Sequence, residues 1–216
     1  AEDFERAAQL IEDHIDALWG SGQHRKLRSW LNELPEEILF SKPSISIYQA
    51  RYQSSSGKLE AAERTLIAVE RTLDAGNDRA PATEPQRQIS FTHSDKMKLR
   101  GRVATNKSLM CSYLGNVPGI IQHASQALEY LPREDSAWRS IVALTLGNAH
   151  GFKGDMTAAY EARSEAARAC EAAGDTYFVI LANLEVAITL REQGRLQRTI
   201  EICKQQMQLA VEFGLS

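Results

Sequence analysis

The chain has 216 residues, 43% hydrophobic and 25% charged, with a formal net charge of −3 and a pI near 6.0. That is enough apolar material for one packed core or two. The acidic balance, with lysines and arginines scattered among acids, argues against a surface that grips nucleic acid, and no apolar run nears the 18 residues of a membrane-spanning helix. Three cysteines, Cys111, Cys170 and Cys203, form no CxxC pair. They are expected to be buried free thiols in a reducing compartment, which makes a cytoplasmic location the expectation.

In chain order, the opening stretch "AEDFERAAQLIEDHIDALW" is already helical and predicts a helix over 2–19. Since it starts without methionine, both ends of the chain are expected to be cut from something larger. "SGQHRKLRSWLNELP" follows, with a turn at Gly22, a helix over 24–34 and a stop at Pro35. Pro43 punctuates the link into a helix over 44–55; "ISIY" at 45–48 alternates but is flanked by helix formers. Gly57 opens "SGKLEAAERTLIAVE" and a helix over 58–74. Residues 75–93, "AGNDRAPATEPQRQISFTH", break helical periodicity, hold two of the six prolines and are read as an inserted loop. Helices are then predicted over 95–113, 117–131, 135–152, 156–172, 175–192 and 196–213, with turns at Gly115, Gly154 and Gly194.

The turn glycines recur. Gly22, Gly57, Gly115, Gly154 and Gly194 are 35, 58, 39 and 40 residues apart. The long interval fits one repeat plus an insertion of about 18 residues. Each unit reads as helix, tight turn, helix. The glycine takes the positive φ that ends the first helix, and Asn116 or Asp155 just after it caps the second. Gly147 is different, because it falls inside a helix, seven residues before a turn. The same offset carries Ala50 and Ala187 in two other units, which predicts close helix packing there.

This spacing resembles the tetratricopeptide repeat (TPR), most closely in "LGNAHGFKGDMTAAY", where Leu146, Gly147, His150, Gly154, Met156 and Ala159 follow the pattern, with Ala166 beyond it. Arg163 departs from it, standing where a bulky apolar residue is usual, and the period is nearer 40 than 34. The first ninety residues resemble more specifically the start of the helical-repeat domain of the MalT-like regulators, the large ATP-binding LuxR-type activators of the STAND ATPase branch. Leu27, Trp30, Leu31, Leu34, Pro35, Leu39, Pro43, Gly57, Leu59 and Ala62 carry that likeness, and "LEYLP" and "LAVEFGLS" extend it along the chain. The fold the resemblance implies is all-α, a right-handed α-α superhelix of about five TPR-like helical pairs. Residues 1–216 then form a single solenoid domain, a fragment of a larger regulator.

The resemblance also implies function. In such regulators the repeat domain receives a small-molecule effector or an inhibitory partner protein and biases an ATPase. DNA is bound only through a C-terminal helix-turn-helix, and the parent self-oligomerises. This chain carries no GxxxxGK[ST] and nothing like a LuxR recognition helix, so ATP is implied only for a module outside it and no cofactor is expected within it. The histidines form no HExxH and no metal-ligand pair, and no serine lies in a nucleophile elbow. A non-catalytic, non-metal binding module is therefore expected. Its inner face should be lined by the first helix of each pair, at positions two, three, six and ten before the turn glycine. That register selects Arg51, Tyr113, Asn148, Phe152 and Arg191 as concave-face ligand-binding candidates, with Arg102 one turn further up. The mixed polar and aromatic lining suits a sugar, a peptide or a small anion. A plain TPR scaffold holding a partner's peptide is the alternative.

Overall fold

A computed structural model describes residues 2–75, 91–174 and 176–213. Among the described residues there are eleven α-helices and no strand: α1 (Glu2–Gly20), α2 (His24–Glu33), α3 (Glu36–Ser41), α4 (Pro43–Ser55), α5 (Leu59–Ala75), α6 (His93–Tyr113), α7 (Val117–Tyr130), α8 (Ser136–Phe152), α9 (Met156–Ala172), α10 (Thr176–Glu192) and α11 (Leu196–Glu212). They stack in sequence as an all-α helical-repeat superhelix, in which α4/α5, α6/α7, α8/α9 and α10/α11 are the pairs and α4, α6, α8 and α10 stand side by side.

The turns obey local chemistry. Gly22, Gly57, Gly115, Gly154 and Gly194 all have φ between 65° and 80°, the left-handed region where a Cβ is costly. Gly174, after α9, joins them at φ 69° and serves the step between pairs. The expected caps form: Asn116 Oδ1 accepts from the Gly119 amide at 3.2 Å and Asp155 Oδ1 from the Ala158 amide at 3.0 Å.

Most predicted helix ends fall within one residue of those observed, and two departures have a clear local cause. The helix expected over 24–34 ends at Glu33, and after Pro35 the chain makes the additional short helix α3. Proline forbids continuation of one helix but suits the start of the next. Helix α6 begins at His93 rather than 95 because Thr92 and Asp95 form a capping box: the Thr92 hydroxyl accepts from the Asp95 amide and the Asp95 carboxylate accepts from the Thr92 amide. Most of the predicted inserted loop, residues 76–90, lies outside the described residues.

Packing accounts for Gly147. A Cβ there would lie 2.7 Å from Cγ of Arg163 and 3.3 Å from its backbone nitrogen, so the glycine lets α9 approach α8. Ala50 and Ala187 at the same offset are fully buried, and so is Ser108. Arg163, the departure from the repeat pattern, is itself buried. Its Nη2 and Nε donate to Asn148 Oδ1 at 2.6 and 3.1 Å, its Nη1 to Thr189 Oγ1 at 2.6 Å, and it pairs with Glu185 at 3.2 Å. One guanidinium thus ties α8, α9 and α10 together where other units use apolar contact. Burial lowers the Arg163 pKa, opposed by the Glu185 charge.

The thiols do not follow the expectation of uniform burial. Cys170 is buried, Cys111 is intermediate and Cys203 is exposed, because α11 presents its outer face to solvent. Trp30 is only half-buried and lies under the Lys26 ammonium at 4.8 Å, whereas its neighbour Leu31 is fully enclosed.

Candidate functional site

The interior of the curved stack is filled by aromatic rings from both ends of the chain. On α4, Tyr48, Arg51, Tyr52 and Ser55 recur at helical spacing and share one face. That face meets Trp19 at the end of α1, with ring centroids 5.0 Å from Tyr48 and 5.1 Å from Tyr52. Trp19 reaches Tyr177 at 6.1 Å and stacks on Phe178 at 6.4 Å, both in the first turn of α10. His24, which opens α2, packs on Tyr177 at 4.0 Å. The first pair of helices therefore touches the last across the interior.

Arg51 is the pivot. It is 5% exposed, and its guanidinium carbon lies 4.8 Å from the Trp19 ring, 5.2 Å from Trp138 and 4.5 Å from Phe178. Trp138 and Phe178 each stand sixteen residues before their turn glycines, Gly154 and Gly194, so consecutive repeats supply equivalent rings to one cation.

Arg102 on α6 forms a second buried centre. Its Nη1 and Nη2 donate to the two Asp16 oxygens at 3.0 and 2.8 Å, and its Nε donates to Asp135 at 3.1 Å. The Tyr48 hydroxyl also donates to Asp16, at 2.6 Å. Burial alone would raise the Asp16 pKa, but the hydrogen bonds and charge of Arg102 prevail and hold it below its ordinary value. Burial, with Asp16 beside it, pushes the Tyr48 phenol well up. His24 is driven the other way, to about 4, first by burial and then by the Arg51 charge, so it is neutral at pH 7.

Two cavities flank Arg51. One of about 110 Å³ is bounded by Asp16, Tyr48, Arg102, Asp135 and Trp138; the other, of about 120 Å³, by His24, Tyr52, Tyr113, Tyr177 and aliphatic side chains. Trp19, Arg51, Ile141 and Phe178 border both. Among the described residues no group of three or more His, Cys, Asp or Glu side chains is placed to hold a metal ion, and no helix is long and apolar enough to cross a membrane.

Three of the six sequence-selected residues meet here. Arg51 borders both cavities, Arg102 the first and Tyr113 the second. Asn148 borders neither: its side chain is committed to Arg163 and to the Ser112 hydroxyl, a 2.8 Å bond across α6 and α8. Phe152, 53% exposed, and Arg191, exposed and paired with the adjacent Glu192, also lie outside them. The register rule missed Trp19, His24, Trp138, Tyr177 and Phe178. It reached back only ten residues from each turn and did not count α1 as an inner helix. The shared sixteen-residue offset of Trp138 and Phe178 was the signal present in the sequence.

A family model described as "MalT-like TPR region" matches residues 101–216. The curated HTH-type transcriptional regulator MalT of Serratia proteamaculans (strain 568) is 24% identical over 226 residues, an alignment that covers 100% of this chain and 22% of the relative. The chain thus spans under a quarter of the length of that relative. No solved structure matches. With more than half of its length matched, over helices set by Gly115, Gly154 and Gly194, the chain belongs to the MalT-like TPR region family.

Proposed function

We propose that this chain is the sensing region of a MalT-like, LuxR-type regulator: a non-catalytic module that receives a small-molecule effector or a regulatory protein and biases ATPase and DNA-binding modules elsewhere in the parent. The observation that carries this reading is the placement of Arg51 between rings of α1, α8 and α10, with a cavity on either side. A ligand held there touches the first and the last helical pair at once, so its binding free energy depends on the curvature of the whole stack. Differential affinity for two curvatures is what an effector needs to shift a two-state protein. In the parent, a compound that raises the melting temperature of this region should change ATP affinity by about 5- to 150-fold, the usual range of coupling. Arg51→Met should weaken that compound about thirtyfold, the worth of a desolvated cation–π contact. A parent whose ATP affinity ignores a tightly bound compound would sink the proposal.

A second reading, a scaffold for a partner's peptide, draws on one other observation. Helix α11 exposes Leu196, Ile200, Met207 and Val211 along one face. The full-length gene separates the two: a Walker A sequence upstream and a helix-turn-helix downstream belong to the regulator, and flanks with neither belong to the scaffold.

A further inference from the structure

The cavity beneath Trp19 and His24 has the size and lining of a pocket for one flat ring. Its volume is about 120 Å³, and an apolar cavity of about 150 Å³ is known to accept benzene. Tyr52, Tyr113, Tyr177 and Phe178 offer ring faces and edges, and Leu109, Leu144 and Leu181 fill the remainder. No aspartate or glutamate borders it, unlike the neighbouring cavity with Asp16 and Asp135.

We propose that this chamber binds a single uncharged, electron-rich aromatic ring of the phenol class, an inference that rests on the sensing reading above for its biological consequence. The chemistry excludes the alternatives in turn. A carboxylate would lose its hydration among aromatic and aliphatic walls, where the bordering cation, Arg51, is held against three ring faces. A polyol would set hydroxyls on every side against walls made mostly of ring faces and leucines, and two wall hydroxyls are already donating: Ser55 to the Tyr52 carbonyl at 3.1 Å and Tyr52 to the His24 carbonyl at 3.0 Å. A ring with one hydroxyl needs one acceptor, and the lone pairs of Ser55 Oγ provide it. The positive guanidinium at the wall favours an electron-rich ring over an electron-poor one.

The roof supplies an independent sign. Trp19 Nε1 and both ring nitrogens of His24 are buried without a hydrogen-bond partner among the described residues. Three such atoms at one contact are costly. A guest hydroxyl toward which His24 can turn relieves part of that cost: the neutral imidazole donates its N–H to the guest oxygen, whose own proton goes to Ser55 Oγ.

Calorimetric titration of the 216-residue chain with phenol tests this. Saturable one-to-one binding is expected, at least tenfold tighter than cyclohexanol or benzoate. Leu181→Trp, which fills the chamber from α10, should weaken phenol at least tenfold with an unchanged melting temperature, and Leu109→Trp fills it from α6 if the first variant fails to fold. Methyl shifts on phenol addition, confined to Leu109, Ile141, Leu144 and Leu181, locate the ring without any variant. Absence of saturable phenol binding, a preference for benzoate or cyclohexanol, or shifts elsewhere in the chain each overturn the inference. If phenol fails while another compound binds in an Arg51-dependent way, the sensing reading stands and this chemistry falls. If phenol binds and the ATP affinity of the parent is indifferent to it, the chamber stands and its sensing role falls.

Discussion

At the residue scale, two glycines in helices show how position decides sign. Gly147 holds α9 close to α8, and any side chain there drives into Arg163. Gly147→Leu should therefore cost about 3 kcal/mol through overpacking and break the Asn148–Arg163–Thr189 bonds. At Gly20, where a Cβ would meet nothing within 4 Å, alanine should instead add a few tenths of a kcal/mol by restricting the unfolded chain. Urea melts of both variants check this, and equal midpoints would mean that the close approach is not the reason for the glycine. His24 gives a pH signature. Its folded pKa of about 4 lies below the ordinary 6.5, so between those values the unfolded chain binds more protons than the folded one. Stability from this group is complete above about pH 6.5 and is lost as pH falls toward 4. Asp16, also depressed, acts in a lower window, below its ordinary value of 3.8. Melting temperatures recorded from pH 7 to 4 should fall less steeply in His24→Phe than in the wild type; parallel curves would contradict the burial of the imidazole.

At the element scale, the decisive contact joins elements far apart in the chain. Helices α1 and α2 meet α10 through rings, Trp19 and His24 on one side and Tyr177 and Phe178 on the other. A ring pair contributes roughly 0.5–1.5 kcal/mol beyond its buried area. Tyr177→Ala should thus raise amide hydrogen exchange in α1 and α2 about tenfold while α6 and α7, joined by the buried Ser108 hydroxyl at 3.2 Å from the Ile120 carbonyl, stay protected. Exchange rising evenly in every helix would show that the ring contact does not act as a local latch. The short helix α3 belongs to this scale too. Pro35 was legible as a stop, but not the new helix beyond it, because resumption depends on Leu39 finding a buried place against its neighbours.

For the whole molecule, stability is spread unevenly, as in any stack whose units rest on their neighbours. Helix α9 packs between α8 and α10 and buries Ala159, Ala166 and Cys170, whereas α11 leaves Leu196, Ile200, Met207 and Val211 more than 45% exposed. Native-state hydrogen exchange should find α11 opening at lower free energy than α6 to α9. Should α11 exchange only through global unfolding, the nearest-neighbour account would fail for this chain.

Turns, caps and repeat length were legible because each depends on a few adjacent residues. A positive φ calls for glycine, a bare helix start calls for Asn or Asp, and the five turn glycines fell where the period put them. The spacing points to the TPR; the MalT-like resemblance rests on particular residues of the first ninety positions, and the family model matches residues 101–216. The interior was not legible in this way. Of the residues chosen by register, Arg51, Arg102 and Tyr113 border the cavities, while Asn148 went to an internal bond and Phe152 and Arg191 to solvent. What surrounds Arg51 depends on how far the stack bends, since only the bend brings Trp19 to Phe178. That bend is the sum of small rotations between successive pairs, each set by side-chain volumes such as Gly147 against Arg163. No window of sequence contains such a sum, and only the tertiary structure expresses it.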